Sequence, residues 1–137
     1  MNSSYTAFVS LIGRILLAYM FIPAGYGKLV NIEGTAGYIA SSGLPMGSAL
    51  AVLAGLLELL GGLALVLGWQ VRWAGLALAL FTLMASFFFH TFWSVPAEQQ
   101  MVQQLMFMKN LSVTGGLLLI SALGAGPLSL DARRQRA

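Results

Sequence analysis

Four charged residues of this chain lie in or at the ends of long apolar segments, where water cannot solvate them cheaply. They are Arg14, Lys28, Glu58 and Lys109, out of eleven charged residues in all (seven Lys and Arg, four Asp and Glu). A charge at the centre of a bilayer costs at least ~2.5–3.5 kcal/mol on insertion scales, so such a residue usually faces other protein segments and has a partner. These four residues are therefore the first candidates for chemistry.

Two of these charges, Arg14 and Glu58, are expected at similar depth. At a helical rise of about 1.5 Å per residue, Arg14 lies about 14 Å from the start of the first apolar segment, on the cytoplasmic side. Glu58 lies about 16 Å from the start of the second segment, which is on the outer side. The sequence therefore predicts an Arg14–Glu58 ion pair near the bilayer midplane. Two alternatives stay open: Arg14 extends toward the cytoplasm and meets Asp131, or the pair only fixes helix register.

A second polar group is expected where the apolar segments end on the outer side of the membrane. Its members, which join Arg14 and Glu58 as candidate ligand-binding residues, are Lys28, His90, Trp93, Lys109 and Asn110. Aromatic walls with a few polar groups are typical of a pocket for a flat ligand. Trp93 is equally typical of an interfacial aromatic belt, and Lys28 could extend to lipid headgroups.

Helical spacing groups these residues into two stripes that could line such a pocket: Arg14, Ala18, Phe21, Gly25 and Lys28, then Thr82, Ser86, Phe89 and Trp93. His90, the only histidine, lies beside the second stripe and could relay a proton, since imidazole titrates near neutral pH. Because the chain has one histidine and no cysteine, we expect no metal or haem site and no thiol chemistry from it alone.

Composition identifies the solvent of this chain as a bilayer. Hydrophobic residues make up 58% of it and charged residues 8%, whereas a soluble domain is about 25% charged. Eleven charges cannot cover a water-soluble globule of 137 residues, which disfavours a soluble enzyme. The sequence contains no basic run of the kind that binds nucleic acid, so we expect no nucleic-acid partner. An integral membrane protein remains.

Four segments are long and apolar enough to span a bilayer, which needs about 20 residues. They cover about residues 5–26, 47–67, 71–93 and 104–123, and they predict a single all-α domain, a four-helix transmembrane bundle over residues 1–137. The first segment is expected to remain in the protein rather than to be cleaved as a signal peptide. A signal peptide has basic residues ahead of its apolar region, and here no basic residue precedes Arg14. Within the first connection, helical spacing ending at Gly43 predicts a short amphipathic interfacial helix, with an irregular loop as the alternative.

Flanking charges and small residues predict how the spans are arranged. Arg72, Arg133, Arg134 and Arg136 outnumber Lys28 and Lys109 on the other side, so both termini are predicted to be cytoplasmic. Gly55 and Gly62 share one face of the second span, and Gly115-Gly116 lies in the fourth. Such glycines predict close helix contacts.

An ordered series of short motifs along the chain resembles the DoxX family of small bacterial inner-membrane proteins. The matching stretches are 13–17 (GRILL), 21–29 (FIPAGYGKL), 34–38 (GTAGY), 43–45 (GLP), 56–62 (LLELLGG), 89–93 (FHTFW), 106–111 (MFMKNL) and 124–131 (GAGPLSLD). The resemblance implies a four-helix bundle in the cytoplasmic membrane. It places the family's motif positions on Arg14, Lys28, Glu58, His90, Lys109 and Asn110.

The resemblance also guides the functional hypotheses, because some DoxX relatives are linked to quinone-coupled oxidation of sulfur compounds and others to membrane redox complexes. The leading hypothesis is a redox-associated subunit that binds a quinone-like ligand, with the bilayer, a redox protein and a second copy of the chain as candidate partners. The alternatives are a subunit of a small-solute transporter or channel, gated by Arg14 and Glu58, and a non-catalytic scaffold for an oxidoreductase complex.

Overall fold

The chain folds into six helices that account for most of residues 3–135, the part described by the computed structural model. They are α1 (Ser3–Val30), α2 (Ile32–Ser41), α3 (Gly47–Leu67), α4 (Val71–Phe89), α5 (Ala97–Leu123) and α6 (Leu130–Arg134). Four of them, α1, α3, α4 and α5, are long and apolar enough to cross a membrane. The predicted all-α fold with four membrane-spanning helices is confirmed.

The bounds of the spanning helices differ from the predicted segments at the end of α1, which continues to Val30, and at the turn between the last two helices. Helix α4 ends at Phe89 rather than near Trp93, because His90 leaves helical geometry with φ −125° and ψ 49°. Helix α5 begins at Ala97 rather than near Gln104, directly after Pro96. Its first two turns are rich in Glu and Gln, which form helix well but do not raise the apolar signal that marks a span.

The first connection contains the short helix α2, as the sequence indicates. Asn31 caps its start, since the side-chain oxygen Oδ1 accepts a hydrogen bond from Gly34 N at 3.1 Å. The chain then turns through Gly43, whose φ of +79° suits a glycine. Helix α2 packs mainly on α3, so it lies against the bundle rather than apart from it.

The spanning helices form two antiparallel pairs, α1 with α3 and α4 with α5, which α3 and α4 join. We call the end that holds residues 31–46 and 90–96 the distal end. The opposite, proximal end holds the start of α1, the 68–70 turn and residues 124–135. The buried apolar core consists of Ala18, Phe21, Leu65, Val71, Leu78, Ala79, Leu117 and Ala125.

Glycines set the distance between α1 and α3. A Cβ added to Gly25 would lie 2.5 Å from Leu59 N and 2.7 Å from Gly55 O, so the two backbones touch. This agrees with the close contact expected on the Gly55 face of α3. The Gly115-Gly116 pair behaves differently: a Cβ on Gly116 would meet Leu17 at 3.5 Å, whereas the space around Gly115 is open.

We expect Gly25→Ala to destabilise the bundle by about 1–3 kcal/mol, the cost of overpacking, because backbone atoms cannot move aside as a side chain can. The matched control is Gly13→Ala on the same helix, where an added Cβ meets nothing within 4 Å. The control should be neutral or stabilising, by up to about 1 kcal/mol. Reversible unfolding in mixed detergent micelles measures both, and equal effects of the two substitutions would contradict the glycine contact.

Candidate functional site

A cavity of about 640 Å³ opens within the bundle, lined by residues of all five helices from α1 to α5. Its walls are mostly apolar and aromatic. The polar or charged side chains in its lining, apart from the tyrosine of α2, are Lys28, Thr35, Glu58, Thr82, His90, Lys109 and Asn110. Small-molecule sites are typically apolar clefts of roughly 300–1,000 Å³ with a few placed polar groups. By size and lining, this cavity is of that kind.

Five of the seven residues singled out in the sequence line this cavity, and two do not. Lys28, Glu58, His90, Lys109 and Asn110 come together there from α1, α3, the α4–α5 connection and α5. Arg14 lies at the proximal end instead, and Trp93 packs in an aromatic cluster outside the cavity lining.

The ion pair of the bundle interior joins Lys28 to Glu58, with Lys28 Nζ 2.6 Å from Glu58 Oε2. The predicted Arg14–Glu58 pair is therefore wrong. Arg14 lies opposite Leu65 and Val66, about 11 Å along α3 from Glu58 at the helical rise. The depth estimate failed because α1 continues four residues beyond the predicted span, to Val30.

Helix geometry explains why Lys28 turns inward rather than toward lipid headgroups. Side chains on a helix lean toward its N-terminus. Because α1 and α3 are antiparallel, Lys28 leans away from the distal end and Glu58 leans toward it. The Gly25 contact with α3, one turn before Lys28, brings the two helices close enough for the side chains to meet.

Thr82 belongs to a predicted stripe but not to the predicted set of binding residues, and it lines the cavity. The side chain is buried, with 3% exposure. Its hydroxyl has no hydrogen-bond partner in the described part of the chain, although buried polar groups normally have one. The signal in the sequence is the polar pair Thr82 and Ser86, one turn apart on a helix whose other residues after Arg72 are apolar.

The remaining polar residues reach the cavity from the α4–α5 side. His90 Nδ1 lies 2.9 Å from Gln103 Oε1, a distance at which the ring N–H can donate to the amide oxygen. Asn110 is buried on α5, and the neighbouring Lys109 Nζ lies 3.7 Å from Met106 Sδ. At the distal end Tyr38 of α2 stacks on Phe89, with ring centroids 5.1 Å apart.

Trp93 contributes to an aromatic cluster at the distal end. Its ring lies 6.3 Å from Phe87, 5.1 Å from Phe92 and 5.7 Å from Phe107, measured between centroids. These side chains hold the α4–α5 connection against α5. The belt interpretation of Trp93 therefore fits its position better than a place in the pocket.

Arg14 is fully buried at the proximal end and joins three parts of the chain. Its guanidinium donates to Leu65 O at 2.8 Å, to Val66 O at 3.0 Å and to Leu128 O. Asp131, the alternative partner considered for Arg14, instead accepts hydrogen bonds from the backbone N–H groups of Gln70 and Val71 at 2.8 and 3.0 Å. Asp131 thus caps the start of α4, where a negative charge is favourable.

Four apolar helices around a cavity with a few polar groups define a small multi-pass membrane protein, and comparison with known proteins identifies its family. The DoxX family model matches residues 9–91, from α1 through the end of α4. The chain is 40% identical over 121 residues to the inner membrane protein YqjF of Escherichia coli K12, covering 88% of each chain. The chain belongs to the DoxX family, and the resemblance seen in its motifs is confirmed.

Two further relatives place the family match in context. The inner membrane protein YphA of E. coli K12 is 32% identical over 123 residues, which cover 90% of this chain and 88% of YphA. A Surfeit locus protein 4 homolog of Drosophila melanogaster is 30% identical over 94% of this chain, but this covers only 42% of that longer protein. No solved structure matches. The four apolar helices and the bacterial relatives together identify a multi-pass inner-membrane protein.

We expect Lys28→Met to destabilise the protein more than Glu58→Gln. The Lys28 substitution leaves a carboxylate with 9% side-chain exposure unpaired, at a cost of about 2–3 kcal/mol, below the ~3–5 kcal/mol of a fully buried pair. After Glu58→Gln, the lysine, which is 28% exposed, can extend toward water. The free energy of unfolding is measured for both single variants and for the double variant Lys28→Met/Glu58→Leu. Equal losses of stability in the two single variants would contradict the expected order.

We expect Arg14→Met to destabilise the proximal end by at least about 4 kcal/mol, because its three charge-assisted hydrogen bonds are worth about 1.5–3 kcal/mol each and their carbonyl acceptors stay buried. Trypsin should also cleave faster at Arg133, which is exposed but held in α6, because the segment after Leu123 would no longer be fixed to the bundle. The matched control is Arg72→Met, since exposed Arg72 also donates to two backbone carbonyls, those of Ser121 and Ala122. Equal trypsin sensitivity of the two variants would show that Arg14 does not hold this segment.

Proposed function

We propose that the protein is a redox-associated subunit of the inner membrane that binds a quinone-like molecule in the cavity. The observation that carries the proposal is the set of converging polar groups, together with a buried Thr82 hydroxyl that has no partner among the described residues. A hydroxyl in that position has lost its hydration without a replacement, which costs about 1–3 kcal/mol. A ligand with a hydrogen-bonding oxygen supplies the missing partner.

The lining groups suit a flat ring with carbonyl or hydroxyl oxygens. The Lys109 ammonium, the Asn110 amide and the Thr82 hydroxyl are donors for carbonyl oxygens. Phe21, Phe81, Phe88 and Phe89 supply aromatic walls for the ring, and aromatic rings pair favourably with one another. When Nδ1 of an uncharged His90 ring donates to Gln103, Nε2 can accept a hydrogen bond from a hydroxyl of the reduced ligand.

In this proposal the chain binds the quinone and supplies protons to it, and a partner protein provides the electrons. Reduction of a quinone to the corresponding quinol takes up two electrons and two protons. The chain has no cysteine, and residues 3–135 contain no group of three His, Asp or Glu side chains placed to hold a metal ion. A redox protein in the same membrane would supply the electrons, while His90 and the Lys28–Glu58 pair are the groups positioned to exchange protons.

The transporter hypothesis loses its structural support, since it depended on an Arg14–Glu58 gate and Glu58 pairs with Lys28.

The orientation proposed from the sequence keeps its basis. Arg72, Arg133 and Arg134 lie at the proximal end, and an excess of Lys and Arg marks the cytoplasmic side. Arg136, which was counted with them, lies outside the described residues.

Quinone binding can be tested with the full chain in lipid nanodiscs, titrated with a ubiquinone analogue and measured by equilibrium dialysis against empty nanodiscs. We expect saturable binding that Thr82→Val weakens roughly tenfold, as the loss of one hydrogen bond in an apolar site would. Thr114→Val is the matched control, because Thr114 Oγ1 is also buried and without a partner among the described residues but lies outside the cavity lining. Absence of saturable binding to the wild type would overturn the proposal.

A further inference from the structure

Five residues of the cavity wall are also exposed on the outside of the bundle: Tyr38, Lys109 and three apolar residues of α3 and α4. Leu53 on α3 is 63% exposed, and Met84 and Phe88 on α4 are 59% and 47% exposed, yet all three line the cavity. A side chain can meet both conditions only at the rim of an opening. The three apolar residues define a slot between α3 and α4.

The slot lies within the membrane-spanning part of the bundle, toward the distal end. Leu53 is about 9 Å along α3 from its start, and Met84 about 7.5 Å along α4 from its end, at the helical rise. Nearer the proximal end the same helices touch, since a Cβ added to Gly61 would lie 3.0 Å from Leu78. The helices therefore close the proximal end of the cavity and leave its side open at the slot.

The rim of the slot is entirely apolar, whereas the polar groups of the cavity stand on other positions. Lys28, Glu58, Thr82 and Asn110 are buried or half-buried in the interior. A ligand that lay across both regions would need a polar head and an apolar extension. Water is not the medium beside Leu53 and Met84, because exposed apolar side chains of spanning helices face lipid.

We infer that the cavity is loaded sideways from the bilayer, and that its ligand is a lipid with a hydrogen-bonding ring for a head and one long apolar chain. This inference rests on the proposed function and narrows the ligand class within it. The head lies between Lys28, Thr82 and Asn110, and the chain leaves through the slot between Leu53, Met84 and Phe88 into the surrounding lipid.

The slot selects by shape rather than by hydrophobicity. Lipid tails are as apolar as the leucine and methionine side chains of the rim, so moving the chain from bilayer to slot gains little free energy. What the slot provides is an exit. A chain with no exit would have to fold back into the cavity beside its head, at the steric cost of an overpacked interior.

The test compares one quinone head with and without a chain. The protein is held in lipid nanodiscs and binding is measured by equilibrium dialysis, with empty nanodiscs to correct for partition. The two ligands are 2,3-dimethoxy-5-methyl-1,4-benzoquinone and the same ring carrying a decyl chain. The slot variants are Leu53→Trp and Met84→Trp. The matched controls are Leu60→Trp and Leu80→Trp, on the same two helices, exposed and outside the cavity lining.

We expect each slot variant to lower the affinity for the decylated quinone about tenfold or more, because the tryptophan overpacks the slot. The affinity for the chainless ring should change less than about twofold. The control variants should bind both ligands as the wild type does. If the slot variants bind the decylated quinone normally, or weaken both ligands alike, the sideways route is wrong although quinone binding stands. If the wild type binds neither ligand, the proposed function itself is overturned, and this inference with it.

A second measurement follows the chain directly and does not depend on affinity. The sequence has no cysteine, so a single nitroxide label can be attached at Leu53→Cys or at the control Leu60→Cys. The decylated quinone should slow the motion of the nitroxide at position 53 and leave that of the nitroxide at position 60 unchanged. The chainless ring should slow the motion of neither label. Equal effects of the two ligands at position 53 would overturn the slot as the exit of the chain.

Discussion

The structure depends on one constraint: hydrocarbon offers no hydrogen-bond partners, so each polar group inside the bundle must find its partner within the protein. Arg14 meets the constraint with three backbone carbonyls, and Lys28 and Glu58 meet it with each other. The Arg14 contacts hold the proximal end together, and the Lys28–Glu58 pair joins α1 to α3 in the interior of the bundle. Among the described residues the constraint stays unmet at Arg14 Nε and at the hydroxyls of Thr82 and Thr114, and of these three residues only Thr82 lines the cavity.

The two polar arrangements divide the bundle into a closed end and an open end. At the proximal end, Arg14 and Asp131 connect α1, the end of α3, the start of α4 and the segment after α5. The distal half has fewer such connections and contains the cavity. The polar contacts that join distant chain segments and the cavity thus lie toward opposite ends, and Arg14 and Asp131 do not line the cavity.

Much of this was predictable from the sequence, and the errors have physical causes. Four apolar stretches predict four spans because a helix that crosses a bilayer must consist of about 20 mostly apolar residues. The convergence of Lys28, Glu58, His90, Lys109 and Asn110 on one cavity agrees with their helical spacing. Pairing was not predictable from depth, since the partner of Glu58 depends on where α1 ends and on the Gly25 contact. The length of α5 was underestimated because its first turns are polar, and hydropathy alone does not detect helix beyond the membrane.

The contacts of Arg14 have a consequence for how the protein is assembled in the membrane. Its carbonyl acceptor at Leu65 is translated 51 residues after it, and the acceptor at Leu128 follows 114 residues after it. When α1 first enters the bilayer, its arginine therefore has none of its final partners. Helix α1 can reach its final position only after α3 has arrived, and its last hydrogen bond waits for the segment beyond α5. The order of synthesis thus makes the proximal end the last part of the bundle to close.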